Sequence, residues 1–454
     1  MEKYIEFSGR ASLATVGQWM NAQGLWAIIE RQVQIRQKVL QHRPTDKLKD
    51  VLLTILAGGH GLVEANTRVR SDKALQLAFG RTSCAEQSTL SATLDACTAT
   101  NVTELGEALK QIYRQVSRGY RHAYAAQYQV LDIDLSALVA GAQAEGATKG
   151  YFSGQKNRRG RQLGRVVASR YGEIVYEKLY PGVVQLEKNL PELLQGAAAV
   201  LDLDAARRAR MLLRIDAGGG PDANINFWLA RGYRGLVKVK NWQRVCKLVA
   251  SVSHWDALPD RPDHEVGWVE VPHAYVQPTR QLALRWPKAT KGGWKYGVIV
   301  CNLDDADLFA LNGETAPVPL TELARMLAVV QAYDARGGGV ETTFKNDKQG
   351  LGLNHRNKKR LAAQEMLVLL AQFAHNLVHW VGQALAPYSA RLAAFGTLRL
   401  VRDAFQIPGK LAFDPSGRLV ALTLNHRHQF AAAFCGYWRT QFAQGEMCVT
   451  LGEI

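Results

Sequence analysis

Cysteine is scarce in this chain of 454 residues: six, at Cys84, Cys97, Cys246, Cys301, Cys435 and Cys448, with no CxxC pair among them. That spacing excludes a zinc site built on paired cysteines and a disulfide framework, and it reads as free thiols in a reducing cytoplasm. The start, MEKYIEFSGR, lacks the apolar centre of a signal peptide. No long hydrophobic run is uninterrupted either. The most apolar stretch, 366–386, contains His375, Asn376, His379 and Gln383, so it reads as a buried helix and no membrane partner is expected. Acidic residues are in deficit, 40 against 56 Lys and Arg, leaving a formal net charge of +16. An excess of that size favours a polyanionic partner, because each phosphate neutralised releases counterions.

Several familiar motifs are missing as well. His375 and His379 stand one helical turn apart, but no Glu follows the first, which excludes the metalloprotease signature. GGHG at 58–61 has no Gly-Lys-Ser/Thr ending and is no phosphate loop, and Gly218-Gly219-Gly220 lacks the spacing of a dinucleotide fingerprint. There is no internal repeat and no low-complexity segment.

What is present is a change of periodicity along the chain. Residues 1–125 read as a helical N-terminal DNA-binding region, with Leu and Ile at three- and four-residue spacing. Within it, QSTLSATLDACT (87–98) has the look of a recognition helix, or equally of a plain packing helix. From 126 to 240 the pattern is strand (128–138), a meander (161–171 and 172–182), helix (188–210), strand (211–220), short helix and strand (235–240). That order predicts the first part of a ribonuclease-H-like α/β core, a mixed sheet with helices on both faces. Residues 241–322 read as a β-rich insertion carrying Trp242, Trp255, Trp268, Trp286 and Trp294. Core packing is the expected job for most of these, with base stacking open to one of them. Residues 323–390 return to helix as the second part of the core. The C-terminal region 391–454 is partly extended, turning at Asp414-Pro415-Ser416-Gly417.

Carboxylates inside apolar strands are the informative residues, because charge there is costly unless something binds it. Asp132 and Asp134 in LDIDLSAL share one face of a strand by alternation. Asp216 ends the apolar strand LLRI and precedes three glycines that would let a substrate backbone approach. Glu341 opens a helix in YDARGGGVETTFKNDK. Glu365 is a rival third carboxylate in a strongly apolar helix. Basic residues accompany them: Lys156, Arg158, Arg159, Arg161 and Arg165 in a Gly-rich stretch (150–165) that reads as a DNA-contacting loop, and a second run at Arg356, Lys358, Lys359 and Arg360.

Tyr333, Arg336, Glu341 and Lys348, with Phe344 and Lys345 between, resemble the Tyr-x2-Arg-x3-Glu-x6-Lys signature of the DDE transposases of bacterial insertion sequences. One departure is visible: four residues, not three, separate Arg336 from Glu341. RIDAGGGPDANINFWLARGYRGLVKVK resembles that family's second-aspartate block, and LDIDLSAL its first. The resemblance implies that Asp134, Asp216 and Glu341 are catalytic ligands for two Mg²⁺ ions, replaceable by Mn²⁺, with Asp132 the alternate for the first position. It implies that Tyr333, Arg336, Lys345 and Lys348 grip DNA phosphates. The expected partners are double-stranded transposon-end and target DNA, bound by a homodimer at a bacterial nucleoid. The expected chemistry is hydrolysis of a phosphodiester by water, then in-line attack of the freed 3′-hydroxyl on target DNA. Two alternatives remain: a non-catalytic DNA-binding derivative, and a ribonuclease-H-like nuclease without strand transfer.

Overall fold

A computed structural model describes residues 4–152, 155–289, 292–441 and 447–454. The chain builds a mixed α/β protein around two sheets. Residues 11–116 form an antechamber of helices: α1 (Ala11–Ala22), α2 (Leu25–Gln32), α3 (Pro44–Leu56), α4 (Lys73–Ala78), α5 (Gln87–Ala96) and α6 (Ala99–Val116). Their starts follow from local chemistry. Pro44 occupies the first turn of α3, where no backbone N–H is needed, and the Thr98 side chain caps α6 by accepting from Asn101 N.

The large sheet has ten strands. These are β2 (Gln129–Val139), β3 (Thr148–Phe152), β4 (Gln155–Ala168), β5 (Glu173–Pro181), β6 (Met211–Ile215), β7 (Arg234–Lys238), β8 (Asp256–Leu258), β9 (Arg261–Trp268), β10 (Arg280–Pro287) and β11 (Trp294–Cys301). The order β3-β4-β2-β6-β7-β11-β10-β9-β8 places β6 inside the sheet between β2 and β7, and β5 lies beside β4 on the same edge as β3. β2, β6 and β7 are parallel, while β4 runs against β2 and β5 against β4. Every residue of β6 (MLLRI) is buried, as a strand covered on both faces requires.

Alternation sorts the side chains onto two faces. Leu131, Ile133, Leu213, Ile215 and Val237 pack with α7 (Leu186–Leu201), α9 (Asp222–Ala230) and α10 (Trp242–Val249), and the short α8 (Ala205–Ala209) leads into β6. Val130, Leu212, Leu236 and Ile299 pack with α11 (Asp305–Leu311) and α12 (Glu322–Asp334). Asp132 and Asp134 have the parity of Val130, so they face α12 and its successor α13 (Val340–Gly350).

α14 (Leu361–Leu385) follows α13 and is apolar on all sides. Its most apolar window is 83% buried inside the protein, so packing accounts for its composition. Asn376 on this helix accepts from Ile174 N (2.8 Å) and donates to Ile174 O (2.9 Å), closing part of the free edge of β5. Short helices α15 (Ala390–Ala393) and α16 (Thr397–Arg399) lead to β12 (Gly409–Phe413), β13 (Leu419–Asn425), α17 (Ala431–Gln441) and β14 (Cys448–Gly452).

Three expectations need correction. Residues 1–125 are not helical throughout, because Tyr4–Ser8 forms β1 and pairs antiparallel with β12 in the second sheet, ordered β1-β12-β13-β14. Residues 241–322 do not interrupt the sheet but widen it: β11 pairs antiparallel with β7, through Ile299 to Lys238 and Cys301 to Leu236. The predicted basic loop at 150–165 is largely strand, since β3 and the first half of β4 pair from Thr148–Gly160 inward, and β4 then continues along β2.

Candidate active site

The candidate site lies where the parallel pairing of β2 with β6 ends. Asp134 is the sixth residue of β2, and Asp216 directly follows Ile215, the last residue of β6. Asp216 turns the chain by capping a short 3-10 turn, its Oδ1 accepting from Gly218 N at 2.9 Å. The glycines here serve the protein's own packing and not an incoming substrate: a Cβ on Gly220 would stand 1.8 Å from the Lys238 carbonyl oxygen. Glu341 comes from the other side, in the first turn of α13. The extra residue between Arg336 and Glu341 is absorbed by a break. α12 ends at Asp334, a 3-10 turn spans Ala335–Gly338, and Gly339 precedes α13. Gly339 cannot carry a side chain, because its Cβ would meet Asp132 Oδ2 at 1.8 Å.

Arg336 joins the carboxylates. It donates from Nη1 to Asp134 Oδ2 (3.3 Å) and from Nη2 to Glu341 Oε1 (2.7 Å). Burial alone would lower its pKa, but Tyr333, Asp134, Asp216 and Glu341 outweigh that and hold it above the ordinary value. The Asp134 carboxyl is pushed up to about 6 by burial and by the negative charge of Asp216, with Arg336 acting the other way. A buried carboxylate beside a second negative charge forms a place that stabilises a cation. Hard oxygen donors of this type suit Mg²⁺, and the Arg336 guanidinium stands in for that positive charge between Asp134 and Glu341. Among the described residues, no three carboxylate, His or Cys side chains converge closely enough to hold a metal ion as they stand.

Asp132 and Asp134 differ sharply in surroundings. Asp132 is fully buried and taken in bidentate fashion by Arg214 on β6 (Nε to Oδ1 2.6 Å, Nη2 to Oδ2 2.8 Å), with Ser169 donating to Oδ2 as well. Asp134 is half-buried, and its Oδ1 accepts from Leu135 N at 2.7 Å.

The neighbours gather around this point to different degrees. Tyr333 lies in the last turn of α12, buried, with its hydroxyl pKa raised by that burial. Lys348 donates from Nζ to Ser136 Oγ (2.6 Å), two residues along β2 from Asp134, and burial lowers its pKa. Lys345 is exposed on α13, one turn beyond Glu341. Arg158 and Arg159 are exposed on the part of β4 that pairs with β3, and Arg159 Nη1 donates to Ala147 O at 3.4 Å. Of Lys156 the backbone is described as strand, and its side chain lies outside the described residues.

Two arginines expected to meet DNA are structural instead. Arg161 is buried, with Nε donating to Glu145 O (2.7 Å), Nη1 to Lys358 O (3.1 Å) and Nη2 to Lys359 O (2.9 Å). It closes a turn and has no face left for a phosphate. Arg165 is buried between Glu177 and Asp347. The second basic run is likewise occupied in part: Lys358 Nζ meets Asp95 (2.5 Å) and Ser91 Oγ (2.7 Å) on α5, Arg360 donates to Asp95 O, and Arg356 is buried. Glu365 stands apart from the site, since the charges that act on it are Lys178 and Arg161. The five tryptophans all have partners: Trp255 and Trp294 flank Arg285, Trp286 stacks on His264, and Trp268 Nε1 donates to Glu322 at the start of α12. Trp242 is exposed, against Tyr296.

Lys238 and Arg214 escaped the sequence reading. Lys238 ends β7, and its Nζ lies 4.7 Å from the centre of the Tyr333 ring with Asp216, Asp334 and Arg336 acting on its charge. The signal available was parity: each is a cation on the α12-facing side of an otherwise apolar strand.

A family model described as a transposase DDE domain, group 1, matches residues 8–429. No curated protein sequence matches significantly. Among solved structures the chain is similar to a piggyBac transposase in a cryo-EM synaptic complex with hairpin DNA. The identity is 11%, over 85% of this chain and 80% of that one, with a TM-score of 0.46.

Proposed function

The chain belongs to the transposase DDE domain group 1 family, and from that premise we propose that it cuts phosphodiesters at the ends of a mobile DNA element and joins the freed 3′-hydroxyls to target DNA. The observation that carries this reading is that Asp134 and Glu341 both bind the Arg336 guanidinium, with Asp216 acting on its charge, where the parallel pairing of β2 with β6 ends. Strand order adds support for a ribonuclease-H-like core: β5-β4-β2-β6-β7, with β4 alone running against the other four.

Asp134, Asp216 and Glu341 would hold two Mg²⁺ ions, and Asp134 is preferred to Asp132 because Arg214 and Ser169 already fill the latter. When bound, the ions would supply activation of the attacking oxygen and stabilisation of the leaving oxygen. The chain's own residues do the rest. Arg336 releases its carboxylates and turns to the scissile phosphate, which a planar fork of donors can grip bidentately. Lys348, held against β2 by Ser136, offers a second charge to the phosphate, and Lys345, Arg158 and Arg159 hold the DNA backbone further out. The partners are double-stranded DNA and, on that DNA, a second copy of the chain.

The test is excision of a marked element flanked by its own ends, comparing the wild type with Asp216→Ala. Loss of excision with DNA binding retained supports the reading. Undiminished excision removes Asp216 from the site. A wild type that binds the ends without cutting them points to a non-catalytic derivative, and one that cuts but does not join a 3′-hydroxyl end points to a nuclease.

A further inference from the structure

We propose that Lys238 is a further DNA-contacting residue: it holds the phosphate that flanks the scissile one on the Asp216 side, and so fixes which phosphodiester meets the carboxylates. The inference rests on the transposase reading and adds to it a determinant of where the strand is cut. The register of the sheet supplies the geometry. Ile133 of β2 pairs with Ile215 of β6, and Ile215 with Val237 of β7, both in parallel. One residue further along, Asp134, Asp216 and Lys238 therefore stand in one row across three strands, on the face that carries Leu212 and Leu236 toward α12. At the spacing of neighbouring strands, Lys238 lies about 5 Å beyond Asp216 and about 10 Å beyond Asp134 along that row. Lys240 N donates to Gly220 O at 2.9 Å, which ties the turn after Asp216 to the end of β7.

The ammonium itself is unspent. Lys238 is half-buried, and its Nζ makes no hydrogen bond and no ion pair among the described residues, standing over the Tyr333 ring. The other cations around the row are engaged. Arg214 holds Asp132, Arg336 bridges Asp134 and Glu341, Lys348 donates to Ser136, and Arg261 takes Asp334 at 2.6 Å. An ammonium has three donors and no acceptor. Partly withdrawn from water and facing an aromatic ring, it is left in need of oxygen acceptors, which a phosphate provides.

Tyr333 sets the division of labour. Lys238 covers its ring, while Arg336 acts on its hydroxyl. The ring keeps the two cations apart, so they serve successive phosphates: Arg336 the scissile one, Lys238 its neighbour. A strand pinned at two phosphates cannot slide by one nucleotide without losing an ion pair, and that is what makes the position of the cut definite. A lysine that served only to cover Tyr333 would be replaceable by any long apolar side chain.

The experiment binds the full chain to a duplex of the element's own end, with one phosphate at a time around the cut site replaced by a neutral methylphosphonate. Wild type, Lys238→Met and Lys238→Arg are compared, and the cut position is mapped on unmodified DNA. The expected result is one flanking phosphate whose neutralisation weakens binding a few-fold for the wild type and Lys238→Arg and leaves Lys238→Met indifferent. On unmodified DNA, Lys238→Met should bind with a salt slope lower by about one and cut at neighbouring phosphodiesters as well. The proposal is overturned if no flanking phosphate matters to the wild type, if Lys238→Met is equally sensitive, or if that variant cuts only at the wild-type position. The first of these needs no variant, so it stands whether or not Lys238→Met folds. A wild type that binds the end without cutting it overturns the transposase reading instead, and the methylphosphonate difference then still decides whether Lys238 meets a phosphate.

Discussion

Two arginines in this protein are each clasped by two carboxylates, one of them on α13 in each case, and they live in opposite circumstances. Arg165 lies fully buried between Glu177 and Asp347 and over the ring of Phe344 (4.4 Å), with Thr343 accepting from Nη1 at 3.2 Å. Asp347 is in turn bound by His375 Nδ1 at 2.7 Å, and His375 Nε2 reaches Gly172 O at 2.8 Å. Arg336 makes single, partly solvated contacts to Asp134 and to Glu341, whose side chain is 53% exposed. Both clusters use the same groups, so what separates them is closure. In the first, almost every donor and acceptor is spent and the ion cluster fixes how α13 and α14 sit on β4 and β5. In the second, the guanidinium can leave at small cost, which is what a site that must accept phosphate and cations needs.

That contrast can be broken in graded ways. The largest effect is expected on catalysis from Glu341→Gln: excision falls at least about a hundredfold, while thermal unfolding shifts by no more than about 1 kcal/mol, because the pair is half solvated. If the two effects came out reversed, Glu341 would be a structural residue. Next is Asp347→Ala, which strands Arg165 and His375 in the interior; loss of about 3–5 kcal/mol of stability is expected in denaturant unfolding. An unchanged midpoint would mean the buried cluster contributes nothing.

A smaller, opposite response separates the two clusters by ligand. Ca²⁺ or Mg²⁺ at about tenfold over its dissociation constant should stabilise the wild type by about 1.4 kcal/mol, should do nothing for Asp216→Ala, and should act fully on a Lys178→Gln control. Acid should act on the closed cluster. His379 stacks on His375 (ring centres 4.3 Å apart) and has its pKa pushed down to about 3 by burial and by His375. Its folded pKa is below the unfolded one, so the unfolded chain binds the extra proton between the ordinary histidine value and about 3. Stability contributed by neutral His379 is therefore present above the ordinary histidine pKa and is lost as pH falls toward 3, and His379→Gln should flatten that decline. The smallest effect belongs to Arg159→Gln, with a few-fold weaker DNA binding and a salt slope reduced by about one; an unchanged slope would place β3 and β4 away from DNA.

How much of this was legible beforehand depends on how local each signal is. Asp134, Asp216, Glu341 and Arg336 could be found because strand alternation, a strand-ending aspartate and a helix start are each written within a few residues. The continuity of the sheet through 241–322 was not, because the pairing of β11 with β7 joins segments some sixty residues apart, and nothing in either strand names its partner. The two misread arginines show a second limit. Arg158 and Arg161 look alike in a basic Gly-rich stretch, yet β4 alternation and a turn 197 positions downstream put Arg161 inside, on carbonyl oxygens. Glycine was misread for the same reason. Gly220 and Gly339 are needed for approaches to Lys238 O and Asp132 Oδ2, contacts visible only once the fold exists.

The pairing of β1 with β12 places an order on events during synthesis. Ser12 Oγ accepts from Ile407 N, 395 positions away, and Tyr4–Ser8 lies along Gly409–Phe413 next to it. A ribosome making this chain releases β1 about 400 residues before its neighbour β12, so the earlier segment waits through that stretch with exposed Ile5 and Phe7 and an unpaired edge. The second sheet is thus a clasp fastened late, and a nascent chain cut short before β12 would leave that strand free to pair with whatever edge it met.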